Sequence, residues 1–368
     1  MNIPHSSFLI SSCKEFINSI SSPVTLFSFA IGTLVLFLSF PKQLTSPRVS
    51  GPIALAGIGF FVFGLTDHHF RVIITTPDNV PIVAMFFLMA YFTWYAMRKA
   101  VLNDERLQGG KPPVEKEESE QKVLVFPYLI FIEFVVALFY AAMLVIWSLA
   151  LKAPLEDPAN PTISPNPSKA PWYFLGLQEL LVYFDPWIAG VLIPTLIIVG
   201  LCALPYLDRG PKGSGYYSFA QRRVWVSGFL FCFWILWITL IIFGTFLRGP
   251  NWNFFGPFET WNIHKVVPLV NVNLSDLVFI KWMGRGLPEQ WFVREAPGFL
   301  VLGVYFLIPP LIAAWTFSRK ALEQMGVVRF VIASFLVLMI FAIPIKMYLR
   351  WAFNLKYIVA IPEFFFNI

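Results

Sequence analysis

Between two long apolar runs lies the stretch NPSKAPWYFLGLQELL, residues 166–181, whose residue types could handle a flat ligand that gives up protons. On a helix, Trp172, Gly176 and Glu179 share one face, because seven residues make nearly two turns. An indole, a position with no side chain and a carboxylate on that face make a pocket wall with one proton acceptor. Gln178 could hydrogen-bond a ligand hydroxyl, and Tyr173, Leu177, Leu180 and Phe184 form the neighbouring apolar stripe. Proline lacks an amide donor and has a fixed φ, so it suits a first helical turn. Pro171 therefore opens a predicted surface helix over 171–184, capped by Ser168 or Ala170 and ended by Asp185-Pro186. The same spacing also suits a re-entrant amphipathic helix with Glu179 facing water, and spacing alone leaves both readings open.

Glu133 is a second acid to consider, about ten residues into an apolar run, where an ionisable group is costly. It either moves a proton or hydrogen-bonds to a neighbouring helix. Intramembrane b-type haem needs facing histidines on bundled helices. The four histidines, His5, His68, His69 and His264, all lie outside the middle of the apolar runs. His68 and His69 are adjacent and would point about 100° apart on a helix. The chain is expected to ligate no haem, and DHHFR at 67–71 reads as a polar helix end at the membrane interface. Cys13, Cys202 and Cys232 form no C-x-x-C or C-x-x-C-H, so no metal site and no covalently attached haem is expected.

The elements that must hold these residues are membrane helices. Of 368 residues, 57% are hydrophobic and 13% charged, about half the charge of a soluble domain. The expected fold is an all-α, polytopic transmembrane protein. Runs at 79–97, 123–151, 186–207, 224–247, 298–318 and 328–349 are long enough to span, and 23–40 and 51–66 are shorter candidates, giving eight. The net charge of +6 forms no arm or stripe, so it argues for loop topology and not for nucleic acid. With 98–122 in the cytoplasm, the loops 41–49, 207–223 and 319–329 join it, and together they hold more than half of the 27 basic residues. Both termini and the 166–181 stretch then lie outside. Residues 1–98 form a three-helix region and 99–122 a charged, solvated linker. Next come a region at 123–250 and an aromatic, interfacial segment with two further helices at 251–368. The start lacks a basic n-region, so a cleaved signal peptide is not expected.

The stretch DPANPTISPNPSKAPWYFLGLQELL resembles the cytochrome b loop that carries the Pro-Glu-Trp-Tyr motif. The likeness is to the C-terminal, subunit-IV-type half of cytochrome b in Rieske/cytochrome bc-type quinol oxidoreductases, over roughly 123–250. RGPNWNFFGPFETWNIHKVV and the last residues resemble extended bacterial versions. The resemblance implies part of a quinol-oxidation site, with Pro171, Trp172, Tyr173 and Phe174 shaping the pocket. The motif's Pro and Glu fall on Ala170 and Pro171, so the usual acid is missing and Glu179 is the substitute on the same helix. Glu133 ranks below it. The resemblance further implies a quinol substrate, with a lean to menaquinol, and a bacterial cytoplasmic membrane with periplasmic termini. The implied partners are a separate cytochrome b chain carrying haem b, a Rieske iron–sulfur protein and a c-type cytochrome. Together they would form a dimeric complex in which this chain is not active alone. Two other functions stay open: a proton- or ion-translocating subunit using Glu133, and a purely structural membrane anchor.

Overall fold

Apolar runs of this length become helices because only a helix satisfies every backbone polar group within the segment. The computed structural model describes residues 5–119, 123–152, 155, 158–162, 164–208, 213, 215–316 and 319–368. Helix α1 (His5–Ile20) is bent by 86° from α2 (Pro23–Ser39), and the pair counts as one possible span. There follow α3 (Pro47–Gly64), α4 (Asn79–Gln108), α5 (Val125–Ala150), the short α6 (Leu175–Leu180), α7 (Ile188–Leu207), α8 (Arg223–Leu247), α9 (Ala296–Trp315) and α10 (Val327–Phe353). All but α6 among these are long and apolar enough to cross a membrane. The protein is an all-α, multi-pass membrane protein, with seven or eight candidate spans among the described residues.

Starts are written locally. Pro23 sits in the first turn of α2, and the Ser22 hydroxyl accepts from the Thr25 amide. Asp67 caps the short helix His68–Thr75 by accepting from the amides of His69 and Phe70, so DHHFR is a helix start. Helix α4 continues to Gln108, through the first part of the segment expected to be a linker. That part is not free in solvent. Asn103 is fully buried, donating to Glu115 and to the Tyr217 carbonyl and accepting from the Val114 amide. Asp104 accepts from Ser218 and from the amides of Phe219 and Ala220. Residues 120–122 lie outside those described.

Contacts gather loops at two ends, and at one of them meet residues of three of the loops rich in basic residues, 41–49, 98–119 and 215–223. At one end Lys42 pairs with Glu105, and Asp104 grips 218–220. At the other, Lys14 pairs with Asp67, the Phe258 amide donates to Asn18, and Asn166 meets Asn251. The first three helices are not a separate body. Phe27 of α2 is fully buried against Tyr348 and Trp351 of α10, and Trp234 of α8 donates to Thr93 of α4.

The last residues close the loop end. Strand β1 (Val272–Asn273) pairs in parallel with β2 (Leu355–Tyr357), and β3 (Ala360–Ile361) pairs antiparallel with β4 (Phe366–Asn367). The buried Glu295 accepts from the Ala360 amide at 2.9 Å. A side chain at Gly298 would overlap the Ile358 carbonyl.

Candidate functional site

The predicted helix over 171–184 is shorter than its pattern suggests. Pro171 leads into a tight 3₁₀ turn, Trp172–Phe174, and then into the six residues of α6. No side chain caps it. Instead Gln178 folds back on the loop: its carbonyl accepts from the Ala170 amide and its amide donates to the Ser168 carbonyl, both at 2.8 Å. The group expected to bind a ligand hydroxyl thus braces the Pro-rich approach. The close approach at Gly176 is made by α8 of the same chain. A side chain there would lie 3.4 Å from the Trp237 carbonyl oxygen and 3.5 Å from Ile241. Helix α8 widens to i→i+5 hydrogen bonding over Phe231–Thr239 and Phe243–Leu247, on either side of the turn that meets α6. Trp237 donates to the Tyr173 carbonyl at 3.4 Å, and its ring lies 6.3 Å from that of Trp172. Tyr173 and Phe174, with ring centres 4.6 Å apart, are left about half exposed.

Glu179 is fully buried. Arg248, at the end of α8, approaches its carboxylate with two nitrogens, Nη2 at 2.6 Å and Nε at 2.9 Å. Tyr183 donates to Oε1 at 3.0 Å and Trp252 to Oε2 at 3.2 Å. Four donors occupy the two oxygens, so the carboxylate does not face a pocket as the shared-face argument expects. Burial works against the charge on Arg248, but Glu179 and Tyr183 more than offset it and hold the guanidinium above its ordinary value. Burial and the Glu179 charge push the Tyr183 hydroxyl well up, which keeps it a donor.

The turn that brings Trp252 here carries two consecutive left-handed residues, Asn251 at φ 58° and Trp252 at φ 56°. Such conformations cost on the order of 1–3 kcal/mol each outside glycine. Specific bonds offset that cost. Arg248 Nη1 donates to the Trp252 carbonyl at 3.0 Å, and the Asn251 amide donates to Asn166 Oδ1 at 2.6 Å. The Asn166 side-chain amide returns a bond to Asn251 Oδ1 at 2.9 Å.

Lys169 lies beside the site. Its amine donates to the Thr245 carbonyl at 2.7 Å and sits 4.7 Å from the centre of the Trp261 ring, which also packs against His69 and Phe255. Burial pushes this amine down to about 8, against the opposing pull of Asp78. A lysine with a lowered value in the fold binds fewer protons than the unfolded chain between about 8 and 10.5, so stability should rise with pH across that window. The expected rise is about 1–3 kcal/mol. Lys169→Met should flatten that part of the profile, as followed by denaturant titration from pH 7.5 to 10.5; an unchanged slope would place the titration elsewhere.

The structure therefore brings Pro171, Trp172, Tyr173, Phe174, Gln178 and Glu179 into one braced loop. Glu133, on α5, is exposed and shares no hydrogen bond or ion pair with it among the described residues. Arg248, Trp252, Tyr183 and Lys169 were not anticipated. Arg248 had one visible signal, a lone cation at the sparsely charged end of an apolar run.

No curated protein and no solved structure gave a significant match to the chain. One family model does match. It begins after α5 and covers the loop, α7, α8 and the Arg248 turn. Over residues 158–261 the chain matches the family described as Cytochrome b(C-terminal)/b6/petD, and there it is similar to the C-terminal, subunit-IV-like half of cytochrome b.

Proposed function

We propose that the chain is a membrane subunit of a quinol-oxidising, cytochrome bc-like complex and supplies one wall of its quinol-oxidation site. The observation that carries this reading is a family match that takes in a loop that is rigidly braced yet leaves the Tyr173–Phe174 pair half exposed. Exposed paired rings on a fixed backbone suit a flat quinol head group, because positioning depends on a wall that does not move. Haem b and the iron–sulfur cluster belong to partner chains, a second cytochrome b chain and a Rieske protein, with a c-type cytochrome beyond them. Glu179 in this reading positions the loop through Arg248, and the quinol's proton goes to a group on a partner. A role for Glu179 as acceptor requires the Arg248 pair to open.

Quinol-driven reduction of the complex's haem, followed by stopped flow, tests the proposal. Tyr173→Ala and Phe174→Ala should each lower kcat/KM by about 10–100-fold while the subunits still co-purify. A specific observation keeps one rival in view: both Gln178 and Glu179 spend their polar groups inside the chain, as a purely structural anchor would. Unchanged turnover in both variants would select that anchor.

A further inference from the structure

Helix α5 stands apart from every other span. All of its residues are exposed, and among the described residues its side-chain hydrogen bonds and ring contacts stay within the helix. An apolar helix alone in lipid would be unremarked, but this one carries Glu133. That residue lies about 9 Å along from Pro127 and about 26 Å from Ala150, inside the hydrocarbon of a bilayer about 30 Å thick. Unlike a lysine or arginine stem, a glutamate side chain is too short to reach far back toward the interface.

The rest of the helix is arranged around Glu133. Tyr140 and Trp147 follow at successive intervals of seven residues, which drift by only about 20° per step. Ser148 lies on the same side, so the carboxyl, phenol, indole and hydroxyl groups share one stripe. Ala137 and Ala141 sit beside it, a small residue every fourth position, which lets a second backbone come close. The far face is bulky and apolar: Phe131, Leu138, Val145 and Leu149. Acyl chains can cover the far face but offer no donor to the near one. A second copy in the same orientation would set Glu133 level with another Glu133, two acids at one depth.

We propose that the Glu133 face of α5 docks against a transmembrane segment of a different chain, one that presents a cationic or hydrogen-bond-donating side chain at the level of Glu133. The proposal rests on the exposure and patterning of α5 and stands apart from the quinol reading.

The test uses the full chain in its native membrane. A photoactivatable benzophenone side chain at Leu144, on the Glu133 face, should crosslink to a different protein; at Leu138, on the far face, it should crosslink to lipid. Peptide mapping of the Leu144 product should find a membrane segment with a donor side chain level with Glu133. Glu133→Leu should cut the Leu144 product about fivefold or more, and Glu133→Gln, which keeps an acceptor, should cut it less. Since Glu133 is exposed and pairs with no other described residue of its own chain, both variants should keep the wild-type protease-resistance pattern. Four outcomes overturn the proposal: crosslinks only to lipid, crosslinks only to a second copy, a mapped segment without a donor, or an unchanged yield in Glu133→Leu.

Discussion

Glu179→Ala should destabilise the folded chain by about 3–5 kcal/mol, because it leaves Arg248 buried without its counter-charge. The effect exceeds that of an ordinary surface substitution by several-fold, since the surrounding groups cannot substitute. The Trp252 indole can only donate, the Tyr183 hydroxyl brings no counter-charge, and the Trp252 carbonyl already serves Nη1. Glu179→Leu combined with Arg248→Met should recover most of the loss, as joint apolar replacement of a buried pair often does. Unfolding in mixed micelles by added dodecyl sulfate, read by tryptophan fluorescence, would measure both variants and Glu179→Gln with them. The same series decides between the two roles of Glu179. A positioning carboxylate loses stability and assembly in Glu179→Gln. A proton acceptor instead leaves both intact and lowers quinol oxidation by about tenfold or more.

The second large effect is expected at Gly298, in the first turn of α9. Its missing side chain lets the Ile358 backbone pass, and an added methyl group would overlap that carbonyl and crowd Val359. Backbone cannot rotate away as a flexible side chain can. Gly298→Ala should therefore cost about 3 kcal/mol, the upper part of the range for overpacking. The loss should reach the candidate site. The displaced segment carries Tyr357 and Asn367, both of which donate to Asp185, and the Asn367 carbonyl accepts from Trp187 just beyond the loop. Limited proteolysis should release the C-terminal residues from Gly298→Ala first. An uncut C-terminal segment in this variant would show that α9 shifts instead.

The membrane character and most spans were readable from composition, because spanning a bilayer imposes a length and an apolarity that few other folds need. The grouping of three of the loops was readable from lysine and arginine counts. Within the loop, periodicity grouped Trp172, Gly176 and Glu179 on one helical face, but Trp172 lies in a 3₁₀ turn before the helix, and the pattern carried no information about what stands opposite. Gly176 turned out to face Trp237 on α8, and Glu179 to face a cation 69 residues later in the chain. Such pairings are set by tertiary packing and leave no local period. The helix expected to run to Phe184 stops at Leu180, and its N-terminus is secured by Gln178 from within, a bond that no cap rule looks for. The charged segment after residue 98 misled for a related reason. Residues up to Gln108 are mostly good helix formers, and the buried Asn103 together with Asp104 ties the segment to its neighbours.

The distribution of ties between the two ends of the bundle has a dynamic consequence. At the loop end, residues from α1, α8, the Pro-rich loop and the last strands are cross-linked by buried ion pairs, reciprocal amide bonds and two small sheets. At the other end, among the described residues, α4 holds the segment before α8 through Asn103 and Asp104, beside the part-exposed pairs Lys42–Glu105 and Arg222–Asp208. Native-state opening follows the local density of such ties, so backbone amides at 217–220 should exchange with solvent sooner than those at 176–180. Thermal motion would then spread the helices apart at the end remote from the loop and leave the Tyr173–Phe174 wall in register while the far end breathes.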